Sequence, residues 1–387
     1  MEQNPNKNPR RFKLAHLSAA VFLLAIFLTP ILIFAVPKPV FLEDENKERT
    51  PFPTLSMSTI LDKSFMTGFE DYAADAFPAR SAWIGLQTRL LLAMGQKEVN
   101  GVYILPDRLV QKVGEADTQK ISNSVRAMNE FAARFDGATY LMLIPTAAEI
   151  YRSDLPIGAP TLDEKALIDQ VYSQVSGLAT IDVYSSLSAN RDSGVYYRMD
   201  HHWTSRGAYL GYSALSGQLG FTPVPIDLFN VEHASHSFRG SSYSKVIYDG
   251  VEADTIDLYS YPAGPNVTEV SIFDGREWTS HDSLYFREYL DQKDKYATFL
   301  GQNQPIITIK TDAPGDSRLI IFKDSYSHSL APFLALHYSE ITLVDLRYLR
   351  SSFENYVDLD RYSQALFCYN MSNFTEEDVI KFVNLEK

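Results

Sequence analysis

Four consecutive residues, Asp200-His201-His202-Trp203, place a carboxylate, two imidazoles and an indole just before a helical pattern. An Asp two residues before a His can accept its Nδ1–H and fix the tautomer that leaves Nε2 free as a base. Such a base asks for a nucleophile. The strand-like run Arg318 to Phe322 leads into Lys323-Asp324-Ser325-Tyr326-Ser327, then a helical run through Leu330, Phe333, Leu334 and His337, then a second strand, Ile341 to Asp345. Strand, serine-bearing turn, helix, strand is how hydrolases expose a nucleophile at the C-terminal edge of a sheet. Ser325 is therefore read as the nucleophile, His202 as general base and Asp200 as its orienter, because a serine hydroxyl is a poor nucleophile at neutral pH without a base.

Several neighbours carry competing readings. Ser327 lies two residues from Ser325 and could be mistaken for it. His201 faces away from His202 if the segment is extended, since adjacent residues then point to opposite sides. Trp203 is either a packing anchor or a substrate platform. His233 and His236 form a His-x-x-His pair that could join Asp200 and His201 around a metal, although the spacing is loose and lacks the Glu of a zincin helix. Lys323 and Asp324 read as a solvated pair at a turn, with substrate binding as the alternative. His281, His328 and His337 read as surface or core histidines. Cys368, the one cysteine, sits in the apolar run Leu366-Phe367-Cys368-Tyr369 and reads as a small core residue, so neither an intramolecular disulfide nor a cysteine zinc site can form.

The elements that must position these groups alternate between helix and strand. Ile121, Val125, Met128, Ala132 and Phe135 keep a helical period, Thr139 to Ile144 is a buried strand, Leu162 to Val175 is helical and Ala179 to Val183 is a short strand. Arg206 to Leu219 follows the His-containing motif as a helix, with Thr204 or Ser205 as N-cap and Gly220 at its stop. A small hairpin is expected from Gly101 to Val110, and helices at Phe65 to Phe77 and Trp83 to Met94. Such alternation predicts an α/β fold with a central, mostly parallel sheet. The Tyr-, Ser- and Gly-rich stretch of about 223–299 reads as a β-rich insertion.

Leu17 to Val36 carries no charge and at the helical rise spans about 30 Å, the thickness of a bilayer's hydrocarbon core. Lys7, Arg10, Arg11 and Lys13 precede it, which predicts a cytoplasmic tail (1–16), a transmembrane anchor (17–36), a Pro-rich stalk (37–59) and an extracytoplasmic domain (60–387). A cleaved signal peptide is the rival, disfavoured by the length of the apolar run and the lack of an Ala-x-Ala site. The 387 residues carry a net charge of −13. The part beyond Lys13 is more acidic still. Nucleic acid is thereby excluded as a partner, since binding its backbone needs a basic face.

Asp200-His201-His202-Trp203, Phe299-Leu300-Gly301-Gln302-Asn303-Gln304-Pro305 and Lys323-Asp324-Ser325-Tyr326 resemble the bacterial DHHW protein family. The Asp-x-His-Trp-Thr-x-x-Gly-Ala pattern, filled by Asp200, His202, Trp203, Thr204, Gly207 and Ala208, is similar to the SGNH-like alginate O-acetyltransferases, in which a Ser-Tyr-Ser segment matching Ser325-Tyr326-Ser327 holds the nucleophile. The chain order Asp, His, Ser is reversed relative to ordinary SGNH hydrolases and shared with the alginate enzymes. The resemblance implies an SGNH-hydrolase-like fold, oxyanion or substrate contacts at Gly301 and Asn303 together with the Ser325 N–H, O-acetylation or deacetylation of a cell-surface glycan, and an MBOAT-type membrane protein as acyl donor. That chemistry calls for no cofactor or metal. The alternatives are a non-catalytic envelope or glycan-binding scaffold that kept the fold, and a metal-dependent hydrolase built on the His cluster.

Overall fold

A computed structural model describes residues 9–349 and 351–385. Residues 1–8 of the expected cytoplasmic tail, Lys7 among them, lie outside the described part. The chain divides into two compact units, Met1–Met94 and Gly95–Lys387.

The first unit holds the helix Pro9–Ala35, in which His16–Ala35 has a mean hydropathy of 2.6 and is long and apolar enough to cross a membrane. The segment expected to be a stalk is folded instead. Phe41–Leu42 pairs antiparallel with Lys47–Glu48, and the helices Met57–Leu61, Ser64–Asp75 and Arg80–Ala93 follow. Asp75 ties the two parts together, accepting from Lys47 Nζ at 2.8 Å, Thr50 Oγ1 at 2.9 Å and Thr50 N at 3.1 Å.

The second unit is built on an eight-stranded sheet. Its strands in chain order are β1 (Ala138–Ile144), β2 (Leu178–Thr180), β3 (Val267–Phe273), β4 (Trp278–His281), β5 (Ile306–Thr311), β6 (Arg318–Lys323), β7 (Glu340–Val344) and β8 (Gln364–Asn370). Across the sheet the order is β4-β3-β5-β7-β6-β8-β1-β2, parallel from β7 to β2 and antiparallel from β4 to β7. This is the expected α/β architecture with a central, mostly parallel sheet. The insertion needs correcting: the hairpin of Asn230–Phe238 with Asp254–Ser260 and the short turns Arg287–Asp291 and Lys295–Thr298 lie off the sheet, but the stretch between them does not. β3 and β4 belong to the sheet itself, because Val270 and Ile272 present one apolar face in register with Ile309 and Ile307 of β5.

Strand alternation sends side chains to two cores. Leu319 and Ile321 of β6, with Leu366 and Cys368 of β8, meet the helices Ser205–Leu219 and Tyr326–Leu334. Ile320 and Phe322, with Phe367, meet Phe131 and its neighbours on the helix Thr118–Arg134. Cys368 is fully buried, as expected, and burial pushes its thiol well up. From β6 the chain runs to its neighbour β7 on one side, whereas from β1, beyond β8, it runs to β2 in the opposite direction, so the turn after Lys323 lies beside the point where the strand order reverses, where α/β sheets form their ligand crevices.

Candidate active site

Ser325 is the first residue after that turn, at the N-terminus of the helix Tyr326–Leu334, with φ −64° and ψ −19°. Its side chain makes no capping bond to the helix, which leaves the hydroxyl for another partner. The turn itself is held by Asp324. That carboxylate is fully buried and accepts from Tyr326 N (2.9 Å), Asn370 N and Nδ2 (both 2.7 Å) and Asn373 Nδ2 (3.2 Å), pinning the turn to the end of β8.

Asp200 and His202 come from a loop that folds back on itself before the helix Ser205–Leu219. Tyr197 N donates to His202 O, Thr204 N donates to Val195 O, and Asp254 accepts from Arg198 N and Met199 N. Thr204 caps the helix through Gly207 N at 3.2 Å, one of the two caps expected, and Gly220 ends it with φ 79°. The loop thus delivers His202 to Ser325 from a rigid base.

The three side chains form one chain of hydrogen bonds. Ser325 Oγ lies 2.7 Å from His202 Nε2, and His202 Nδ1 lies 2.6 Å from Asp200 Oδ1. Asp200 also accepts from the N–H groups of His202 (2.9 Å) and Ser241 (2.8 Å). Burial by itself would raise the Asp200 carboxyl, but the imidazoles of His202 and His201 outweigh it and hold Asp200 well below the usual carboxylate range. Burial and then the His201 charge push His202 down to about 4, against the opposing pull of Asp200. Both directions describe an ionised Asp200 beside a neutral imidazole whose Nε2 accepts the serine proton.

Sequence reasoning passed over Tyr296, whose ring stacks on His202 and whose hydroxyl donates to the Ser325 carbonyl at 3.0 Å. It lies inside the stretch read as an insertion, one of several tyrosines there, with no motif to single it out. His201 meets Ser241 Oγ at 2.6 Å and, with Asp200, Tyr326, Asn370 and Gln111, lines a small cleft.

Trp203 is completely buried, with Nε1–H donating to Tyr326 O (3.0 Å) and Ser329 Oγ (2.9 Å), so it is a packing anchor and no substrate platform. Gly301 N–H is spent on the Ala297 carbonyl at 2.9 Å, which leaves that residue without a donor for an oxyanion. Its φ of 78° and the Phe286 ring 2.9 Å from where a Cβ would stand explain the glycine. Asn303 accepts from Lys323 Nζ through Oδ1 at 3.3 Å, a bond that does not use its Nδ2 donors. Lys323 and Asp324 are not solvated: both are fully buried, and Lys323 bonds His328 Nε2 at 2.7 Å and Asp345 at 3.2 Å. His233 and His236 sit on the hairpin strand Asn230–Phe238, where His233 meets Asp257 and His236 meets Thr255. The group whose ligand atoms come close enough to share a metal among the described residues is Asp200, His201 and His202.

Among curated proteins nothing matches the chain. Among solved structures, a DHHW family protein from Eubacterium siraeum is 23% identical with a TM-score of 0.64, covering 75% of this chain and 98% of its own. PatB1 of Bacillus cereus, solved with a sulfonyl adduct, is 19% identical with a TM-score of 0.63, covering 73% and 97%. The O-acetyltransferase domain of Pseudomonas putida AlgJ, at 14% identity, a TM-score of 0.41 and coverage of 72% and 93%, is too distant to carry weight. The DHHW protein family model matches residues 92–344, a span that contains Asp200, His202, Asn303 and Ser325. The chain belongs to the DHHW protein family.

Proposed function

We propose that the protein is a membrane-anchored, extracytoplasmic acyltransferase or esterase that adds or removes O-acetyl groups on a cell-surface polysaccharide through an acyl-Ser325 intermediate. The observation that carries this reading is the buried relay from Ser325 Oγ through His202 to Asp200, at 2.7 and 2.6 Å. A relay of that geometry activates a serine for attack on a carbonyl.

Ser325 Oγ attacks the acyl carbonyl while His202 Nε2 takes its proton, and Asp200 stabilises the imidazolium. The oxyanion is met by the Ser325 N–H, which has no partner among the described residues, with Asn303 Nδ2 as the second donor. Collapse expels the donor's alkoxide, which leaves with the proton from His202. A sugar hydroxyl, or water in the esterase direction, then gives its proton to His202 and attacks the acyl-serine, and as the acyl–Oγ bond breaks His202 returns that proton to Ser325 Oγ, releasing the product ester or acid and restoring both residues. No cofactor is needed for this balance.

The sulfonyl adduct on PatB1 supports the reading, because sulfonyl reagents are captured by activated nucleophiles. The motif likeness to alginate O-acetyltransferases favours acetyl as the acyl group, a glycan as acceptor and an MBOAT-type protein as the donor's carrier. The apolar helix His16–Ala35 supports anchoring, and the cationic residues before it, Arg10, Arg11 and Lys13, favour a cytoplasmic N-terminus. Turnover of an acetyl ester, with and without chelator, tests the proposal. Loss of turnover in a folded Ser325→Ala variant is expected. Turnover that survives this substitution but vanishes with chelator would transfer the chemistry to a metal on Asp200 and His201.

A further inference from the structure

Exposed apolar side chains are spread unevenly over the described residues. Eleven large ones lie between Phe52 and Met94, against seven in all of the second unit. On the helix Arg80–Ala93 and its C-cap, Trp83, Leu86, Leu90 and Met94 repeat at three- and four-residue steps and fall on one face, and that face points outward. A helix that turns its apolar stripe away from its own core needs a non-aqueous neighbour.

The neighbour is indicated by the apolar helix. Phe34, in its last turn, packs its ring 6.4 Å from that of Phe52 and 6.3 Å from that of Tyr72, and Ile33 is buried. These contacts put the following segments at the level where a crossing helix leaves the hydrocarbon, the depth that aromatic and basic residues favour.

At the same level lies a cavity of about 300 Å³, lined by Leu32, Val36, Leu42 and Phe77 on its apolar side and by Lys38, Arg49, Arg80 and the carboxylate-bearing Asp75 on its charged side. The hairpin returns Arg49 to this height, its N–H donating to Val40 O at 2.7 Å. The nearby carboxylates are already engaged, Glu45 by Arg80 and Asp75 by Lys47 and Thr50. Arg49 Nε is buried without a partner among the described residues. Lys38 spends two of its three N–H groups on the Leu32 and Ile33 carbonyls. Burial, and then the Arg49 charge, push its ammonium below its ordinary value. Two cations beside an apolar wall, one with an unanswered N–H, want an anion that carries an alkyl chain.

We propose that residues 37–94 form a lipid-binding collar, in which Lys38 and Arg49 hold the phosphate of a phospholipid headgroup and the Trp83-Leu86-Leu90-Met94 face lies in the bilayer interface. The proposal rests on the reading that His16–Ala35 crosses the membrane.

The test uses the full chain in an uncharged detergent, with short-chain phosphatidylglycerol and inorganic phosphate as separate probes. The lipid should bind more tightly than phosphate, and Lys38→Ala/Arg49→Ala should weaken it roughly 30-fold, the equivalent of about 1 kcal/mol for each cation. An unchanged affinity in the double variant, or phosphate binding as tightly as the lipid, overturns the site. In bilayer discs made with acyl-brominated lipid, Trp83 emission, identified by its loss in Trp83→Phe, should be quenched. Unquenched Trp83 would mean that protein, not lipid, covers the face. Alkaline extraction of membranes separates the two claims: a chain washed off refutes the anchor, whereas a chain retained with unaltered lipid affinity in the double variant refutes the site alone.

Discussion

The Tyr296 ring lies flat against the His202 imidazole, with centroids 3.7 Å apart and planes 5° from parallel. Its hydroxyl meets the Ser325 carbonyl and Ser329 Oγ, both at 3.0 Å. One side chain therefore positions both the base and the backbone of the nucleophile. Tyr296→Phe keeps the stack and removes the hydrogen bonds, so kcat should fall by about tenfold, the worth of roughly one hydrogen bond, with KM unmoved. Tyr296→Ala also leaves a cavity and should cost about 3–5 kcal/mol in denaturant unfolding.

The pH profile follows from the direction of the His202 shift. The neutral imidazole is the working form, and burial followed by the His201 charge pushes its pKa down to about 4. Activity should thus persist as the pH falls through about 6.5, where a free His takes its proton, and fade only as pH approaches the folded value. Stability moves the other way over the same window, because the unfolded chain binds a proton that the folded imidazole refuses. His201→Gln removes a neighbouring positive charge, so the acid limb of kcat/KM should shift to higher pH. An unmoved limb would show that His201 does not act on His202.

Asp324 makes four acceptor contacts and no bond to Ser325 Oγ. In Asp324→Asn an amide N–H₂ replaces an oxygen that faces donors, leaving buried groups unsatisfied at about 1–3 kcal/mol each. Thermal unfolding should show the loss, and kcat should fall with it as the turn that aims Ser325 loosens. A variant with a wild-type melting curve would contradict the assignment.

Trp203 fits against two glycines. A Cβ at Gly211 would stand 2.8 Å from the indole, and one at Gly207 would stand 2.9 Å from the Trp203 Cβ. Gly211→Ala should destabilise by about 1–3 kcal/mol through overpacking. Trp203→Phe should lower the melting temperature and leave KM for an acetyl ester unchanged, as expected of a residue that touches no substrate.

Much of this was legible in local patterns. The Asp200–His202 spacing and the strand-turn-helix around Ser325 are short-range signals, and they point to residues that lie within hydrogen-bond distance across 123 positions of chain. What failed to show was set by distant pairing. β3 has the alternation of a strand, but its place beside β5 depends on a register that no local window contains. Lys323 and Asp324 look solvated in sequence because their partners, Asp345 and Asn370, come from the ends of β7 and β8. Tyr296 is one tyrosine among several, and only the approach of the His202 loop gives it a role. Gly301 carries the resemblance yet donates its N–H to Ala297, so its part is conformational.

The central claim is that Ser325 carries the acyl group. The most direct measurement is the intact mass and peptide map of the full chain quenched during turnover of an activated acetyl ester. One added acetyl group, located on Ser325, present in Ser327→Ala and absent in folded Ser325→Ala, is the predicted result. An acetyl group on another residue, or full turnover by Ser325→Ala, would contradict it.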